Sequence, residues 1–189
     1  MGITAGTLKT AFERGLVQHH NVKILTRGEA AKIYEVMYWS PSKAPQMPWP
    51  LNLLHFDAAV NHGLGGAGRQ LQNTLNRILG DGAVTVDGSV GPKTLEALKP
   101  CLTKPENVRA VCLTLLDVRK AYFLRIVERD EKQGKFLKGW MNRLRKLRRY
   151  VDESALVQGY ECGIGIDKYN DIKAGDIIKC FAMEEIERE

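Results

Sequence analysis

Cysteine occurs four times, at Cys101, Cys112, Cys162 and Cys180, and never in the C-x-x-C spacing of a zinc ligand set or a dithiol redox pair. No cluster of histidines accompanies it, so no metal site is indicated and reduced, partly buried thiols are expected. His55 and His62 are two helical turns apart, about 10 Å, too far to share a metal whose bonds to nitrogen are about 2 Å. Long apolar runs are lacking too: none approaches a membrane span, and Met1-Gly2-Ile3-Thr4 has neither the basic nor the apolar region of a signal peptide. These absences imply a chain that is cytoplasmic as synthesised and reaches the cell wall or periplasm only by release or export. No cofactor is expected either. Gly63-Leu64-Gly65-Gly66-Ala67-Gly68 is glycine-rich, but it is not a Walker loop and follows no parallel strand.

Acidic residues are scarce over most of the chain. Residues 1–150 hold 24 Lys and Arg against 12 Asp and Glu, a net +12, whereas residues 151–189 hold four against ten, a net −6. A basic body suits a polyanion or an anionic cell-wall surface, and a solvated basic helix face accounts for much of the same count. With 189 residues, 44% of them hydrophobic, the chain suits one or two small globular domains.

The stretch from Leu54 to Leu71 organises the rest. Leu54, Ala58 and Val60 sit near helical spacing, Gly63 is a helix stop, and Gly65-Gly66 lets a second helix start close against the first. Asp57 and Asn61, at i and i+4, share one face and can present a carboxylate and an amide to one ligand. Upstream, Thr4 caps a short helix that Gly15 ends, and Thr26-Arg27-Gly28-Glu29 reads as a capping box. The helix it opens is expected to bury Ala30, Ile33, Tyr34 and Met37. Pro41, Pro45, Pro48 and Pro50 forbid regular structure from Ser40 to Pro50. Trp39 and Trp49 bracket this loop, where aromatic rings stack on sugars or simply pack.

Downstream, Gly80-Asp81-Gly82 ends a helix carrying Leu71, Leu75, Ile78 and Leu79, and Gly91-Pro92 opens a short one. Glu106 to Arg129 carries an apolar stripe running from Val108 to Ile126, the longest helix predicted. Lys135 to Arg149 forms one more, with Phe136, Trp140, Leu144 and Leu147 opposite a crowd of Arg and Lys. The fold class is mainly α.

Several spaced motifs then carry a resemblance. Gly2-Ile3-Thr4, Leu25-Thr26 with Tyr38-Trp39, Phe56-Asp57 with Ala59-Val60-Asn61 and Gly63, Val86-Asp87-Gly88 with Gly91-Pro92-Lys93-Thr94-Leu95, and Lys138-Gly139-Trp140 with Arg143 occur in order. Over about residues 2–150 this resembles glycoside hydrolase family 108, phage and bacterial N-acetylmuramidases. The resemblance implies a lysozyme-like helical domain followed by a small helical peptidoglycan-binding domain. It also implies a catalytic glutamate in a Glu-Gly-Gly-Tyr motif upstream of the Gly-Ile-Thr, and that motif is missing here. Glu13-Arg14-Gly15 falls after Gly-Ile-Thr and at a helix end, so the role does not pass to Glu13. Asp57 can be the second carboxylate of a glycosidase pair but not both.

The last 40 or so residues resemble a different protein. Gly159-Tyr160-Glu161-Cys162-Gly163-Ile164-Gly165-Ile166, Tyr169-Asn170-Asp171-Ile172-Lys173 and Gly175-Asp176-Ile177-Ile178 are similar to the C-terminus of bacterial translation initiation factor two. The residues themselves read as a β-hairpin with a polar Asn-Asp turn. By the resemblance, Arg149, Tyr150, Cys162 and Gly163 would lie near a tRNA end, making tRNA or the ribosome a partner of the tail.

The expected architecture is a truncated lysozyme-like lobe at 1–80, a peptidoglycan-binding-like helical lobe at 81–150, and an acidic β-hairpin tail at 151–189. The first functional reading is binding of peptidoglycan glycan strands in a groove around Tyr38, Trp39, Asp57, Asn61 and Gln70, without hydrolysis. The alternatives are an RNA-binding protein led by its tail and an inert fusion product.

Overall fold

The computed structural model describes residues 2–157. Among them the secondary structure is helical, and no strand occurs. The hairpin reading, with Cys162, Gly163 and Cys180, lies outside the described residues.

Helix α1, Ala5–Glu13, starts where the sequence predicts: the Thr7 N–H donates to Thr4 Oγ1 at 3.2 Å. Helix α2, Arg27–Tyr34, opens with a reciprocal capping box, Glu29 N–H to Thr26 Oγ1 at 3.2 Å and Thr26 N–H to Glu29 Oε2 at 2.9 Å. The two helices bury a small core of Ile3, Leu8, Ala11, Val17, Leu25, Ala30 and Ile33. Tyr34 and Met37, expected inside, are only half-buried. For Met37 the cause is a π turn at Glu35–Trp39, in which the Ser40 N–H reaches back five residues to the Glu35 carbonyl at 3.0 Å. The wider turn rotates the following side chains away from the face that 3.6-residue spacing assigns them.

Helix α3, Leu51–Leu79, runs on through the predicted corner. Its one non-helical residue is Gly63, at φ 71° and ψ 168°, a left-handed conformation that favours glycine. The remaining helices are α4 (Pro92–Leu98), α5 (Pro105–Arg129) and α6 (Gly134–Val157). The main core is continuous from Met47 to Val151, with Leu51, Leu54, Leu71 and Leu75 of α3 meeting Leu98, Val111, Cys112, Leu115, Leu144 and Leu147. Cys101 and Cys112 are free and buried, and burial pushes the Cys112 thiol up to about 12. Helix α6 runs past residue 150, where the tail was expected to begin, because Val151 extends the buried series of Leu144 and Leu147 by another turn.

The connection from α3 to α4 is folded onto α3 by two amides. Asn76 exchanges hydrogen bonds with the backbone of Val84 at 2.8 and 2.9 Å. Gln72, buried, donates to Asp87 Oδ1 at 2.7 Å and to the Ser89 carbonyl at 3.0 Å, and accepts from the Gly88 N–H at 2.8 Å. These contacts, with the Ser89 N–H, lower the Asp87 pKa. The turn lies so close that a Cβ on Gly68 would stand 2.1 Å from the Gly88 carbonyl oxygen. Alanine in a helix is worth about 1 kcal/mol over glycine, yet here the contact is backbone and cannot swing away. Gly68→Ala is therefore expected to lose about 1–3 kcal/mol net. Gly139→Ala, in α6 with nothing within 4 Å of the new methyl, should instead gain up to about 1 kcal/mol. Thermal melts of the two variants check the opposite signs.

Candidate functional site

Asp57 projects from the first half of α3 into a cluster of arginines. Arg119 Nη2 of α5 donates to Asp57 Oδ2 at 2.7 Å, and Arg143 of α6 grips the same carboxylate with Nη2 to Oδ1 at 2.6 Å and Nε to Oδ1 at 2.9 Å. Arg119 is fully buried, whereas Arg143 is half-exposed. Burial lowers the Arg119 pKa and the Asp57 charge opposes that shift. Its Nη1 reaches the Leu54 carbonyl at 3.5 Å, and its Nε has no hydrogen-bond partner. A guanidinium without water demands an opposite charge, and Asp57 supplies it. The carboxylate thus joins α3, α5 and α6.

Asn61, one turn on, donates to the Asp57 carbonyl at 2.6 Å and stands 3.4 Å from Oδ2. The pair does share a face, but the amide is turned toward Asp57. Trp39 packs edge-on against Phe56 with centroids 5.3 Å apart, and Tyr34 sits 6.2 Å from both Tyr38 and Phe56. These four half-buried rings form a strip beside the start of α3. Trp49 is half-exposed and meets Tyr150 edge-on at 5.8 Å. Together with Pro48, Pro50, Thr103 and Arg109 it lines a cavity of about 480 Å³.

Gln70 lies beyond the Gly63 kink, in a second cavity of about 330 Å³ between α3 and α5. His62 lines it too, with its ring 5.2 Å from Tyr122 and 5.3 Å from Phe123. Burial, helped by the Arg119 charge, pushes the His62 pKa down to about 4 against the opposing pull of Asp57. Its ring is neutral at pH 7. Arg149 is exposed and lies 3.9 Å from Glu153, so both it and Tyr150 stand on α6. Glu13, also exposed, is 3.9 Å from Lys9. Among the described residues no group of three or more His, Cys, Asp or Glu could hold a metal ion, and no helix is long and apolar enough to cross a membrane.

The sequence reading missed Arg119, Gln72 and the second cavity. A lone arginine on the apolar stripe of α5 was the available signal, because arginine is almost never fully buried unless paired.

Comparison with known proteins places these features in a class. Residues 1–63 match the family Glycosyl hydrolase 108, and residues 69–145 match the Predicted Peptidoglycan domain. The resemblance read from the motifs therefore holds over the body of the chain, and the match over residues 69–145 connects it with peptidoglycan. Among solved structures, SagA of Brucella abortus is similar, with a TM-score of 0.63 and 26% identity over 85% of this chain and 80% of that one. A shorter stretch is similar to translation initiation factor IF-2. The identity is 59% over 46 residues for the Clostridium botulinum (strain Hall) protein and 50% over 48 residues for that of Moorella thermoacetica. These stretches are 24% and 25% of this chain, which spans only 7% and 5% of the two relatives.

Proposed function

We propose that this chain binds peptidoglycan glycan strands without cleaving them, through the aromatic strip of Tyr38 and Trp39 and the polar groups of Asp57 and Asn61; Gln70, expected in the same groove, lines the separate cavity between α3 and α5. The observation that carries the absence of cleavage is the engagement of Asp57: both carboxylate oxygens are held by Arg119 and Arg143. Glycosidic cleavage needs a carboxylic acid free to reach the leaving oxygen and usually a second carboxylate across the bond. Asp57 is committed to neither role. Binding and proton transfer are separable contributions, so a groove can keep the first without the second. We place the protein in the cytoplasm as synthesised and at the wall after release or export.

Sedimentation with insoluble peptidoglycan tests this reading. The chain should pellet at low salt and be partly released as ionic strength rises, since a body of net +12 meets an anionic wall through screened contacts. Turbidity of wall suspensions should stay at the buffer baseline from acidic to neutral pH. Trp39→Ala should weaken pelleting, and a melting curve beside it separates lost stacking from lost packing against Phe56. A chain that never pellets, or that clears walls, contradicts the proposal.

The second reading, RNA binding by the stretch similar to translation initiation factor IF-2, is supported by its 59% identity over 46 residues. Filter binding with initiator tRNA at physiological salt checks it. Retention well above that of a basic control protein would favour it.

A further inference from the structure

The cavity between α3 and α5 has a chemistry that the Asp57 cluster does not use. Gln70 is 4% exposed, and neither its Nε2 nor its Oε1 has a hydrogen-bond partner. His62 Nε2, buried in the same wall, is likewise without one. Around them stand Arg69, Arg125 and Arg129, all exposed and none ion-paired among the described residues. Buried polar groups are normally satisfied, and an unsatisfied one in a native structure calls for an explanation. A primary amide offers donors at one end and an acceptor at the other, which is the complement of a peptide group. The guanidinium groups match carboxylates, with which arginine forms forked, charge-assisted bonds.

We propose that this cavity binds the carboxylate-bearing stem peptide of peptidoglycan, with Gln70 on a peptide group of the ligand and the arginines on its carboxylates. The inference rests on the peptidoglycan reading above and adds a second contact to it. A glycan strand alone has too little charge to use three arginines. A phosphodiester polymer would use them but has no N–H for Gln70 Oε1, whereas a peptide satisfies both. The volume of about 330 Å³ is at the low end of ligand sites, room for a short segment and not for a folded partner.

Calorimetric titration of the full chain with a synthetic peptide of alternating L and D residues bearing free carboxylates tests the proposal. Its fully amidated twin and inorganic phosphate serve as the other arms. The acid peptide is expected to bind, the amidated one at least about tenfold more weakly, and the Arg125→Gln/Arg129→Gln variant to lose about tenfold or more. Both arginines are exposed, so the melting temperature should not move. Gln70→Leu should weaken both peptides alike. Phosphate should fail to displace the acid peptide at equal concentration. Displacement by phosphate, equal affinity for the two peptides, or no heat from the acid peptide while the chain still pellets with walls would each overturn the inference and leave the wall-binding reading standing. Failure to pellet would overturn that reading instead.

Discussion

Asp57→Asn is expected to cost the fold about 3–5 kcal/mol, the loss seen when one partner of a buried ion pair is removed. Asparagine keeps the shape of the side chain and removes its charge. Arg143 is half-exposed and can turn to water; Arg119 is fully buried and cannot. Its guanidinium would keep the 3.5 Å approach to the Leu54 carbonyl and lose its counter-charge, with Nε already unpartnered. Urea unfolding of the variant measures the loss. Asp57→Asn combined with Arg119→Met should recover most of it, because an apolar side chain of similar length needs no counter-charge. A single-variant loss below about 1 kcal/mol, the ceiling for exposed pairs, would mean that water reaches Arg119. The result also governs how binding data are read, since an Asp57 variant that fails to pellet with walls must first be shown to be folded.

Acid is expected to unfold the protein through His55. Its Nε2–H donates to the Ser42 carbonyl at 2.9 Å while Nδ1 is buried without a partner, and burial pushes the pKa down from 6.5 to about 4. The unfolded chain therefore takes up a proton that the folded chain refuses. Stability from this group is complete above about pH 6.5, declines as pH falls from there, and levels off below about pH 4, for a total of up to about 3 kcal/mol. His62, also lowered to about 4, adds a smaller contribution of the same sign because it is only half-buried. Urea midpoints at several pH values across this window should fall with acid. His55→Gln keeps a donor for Ser42, cannot titrate, and should flatten the curve to the residual slope of His62. A wild-type curve flat across the window would show that neither ring is desolvated.

Much of the helical framework was legible because its signals are local. Thr4, the Thr26–Glu29 box, Gly80 and Pro92 mark helix boundaries, and Gly63 a kink, by backbone chemistry that needs no distant partner. Met37 fell short of burial because a π turn is not encoded in a period-3.6 pattern. The continuation of α6 beyond residue 150 is readable in the spacing of Leu144, Leu147 and Val151. The site was harder to read. Asp57 and Asn61 stood out by their spacing, yet the direction of the carboxylate is set by Arg119 and Arg143, 62 and 86 residues away. The pairing of Gln70 with His62 and the arginines of α5 depends on the packing of α3 against α5, which no local pattern specifies.

The two family matches end at residue 63 and begin at residue 69, so their junction falls inside α3, just beyond the Gly63 kink. A recombination event or a cloning boundary at that junction would separate the two helical halves of α3 that meet at the Gly63 kink. It would part Leu51 and Leu54 from Leu71 and Leu75, which share one core, and would strip Asp57 from Arg119 and Arg143. Either half expressed alone would expose apolar surface and, in the C-terminal half, a buried guanidinium without its counter-charge. Here the borders of sequence families do not coincide with a border at which the molecule can be divided, and gene fusions that exchange the part matching the Predicted Peptidoglycan domain must carry α3 whole.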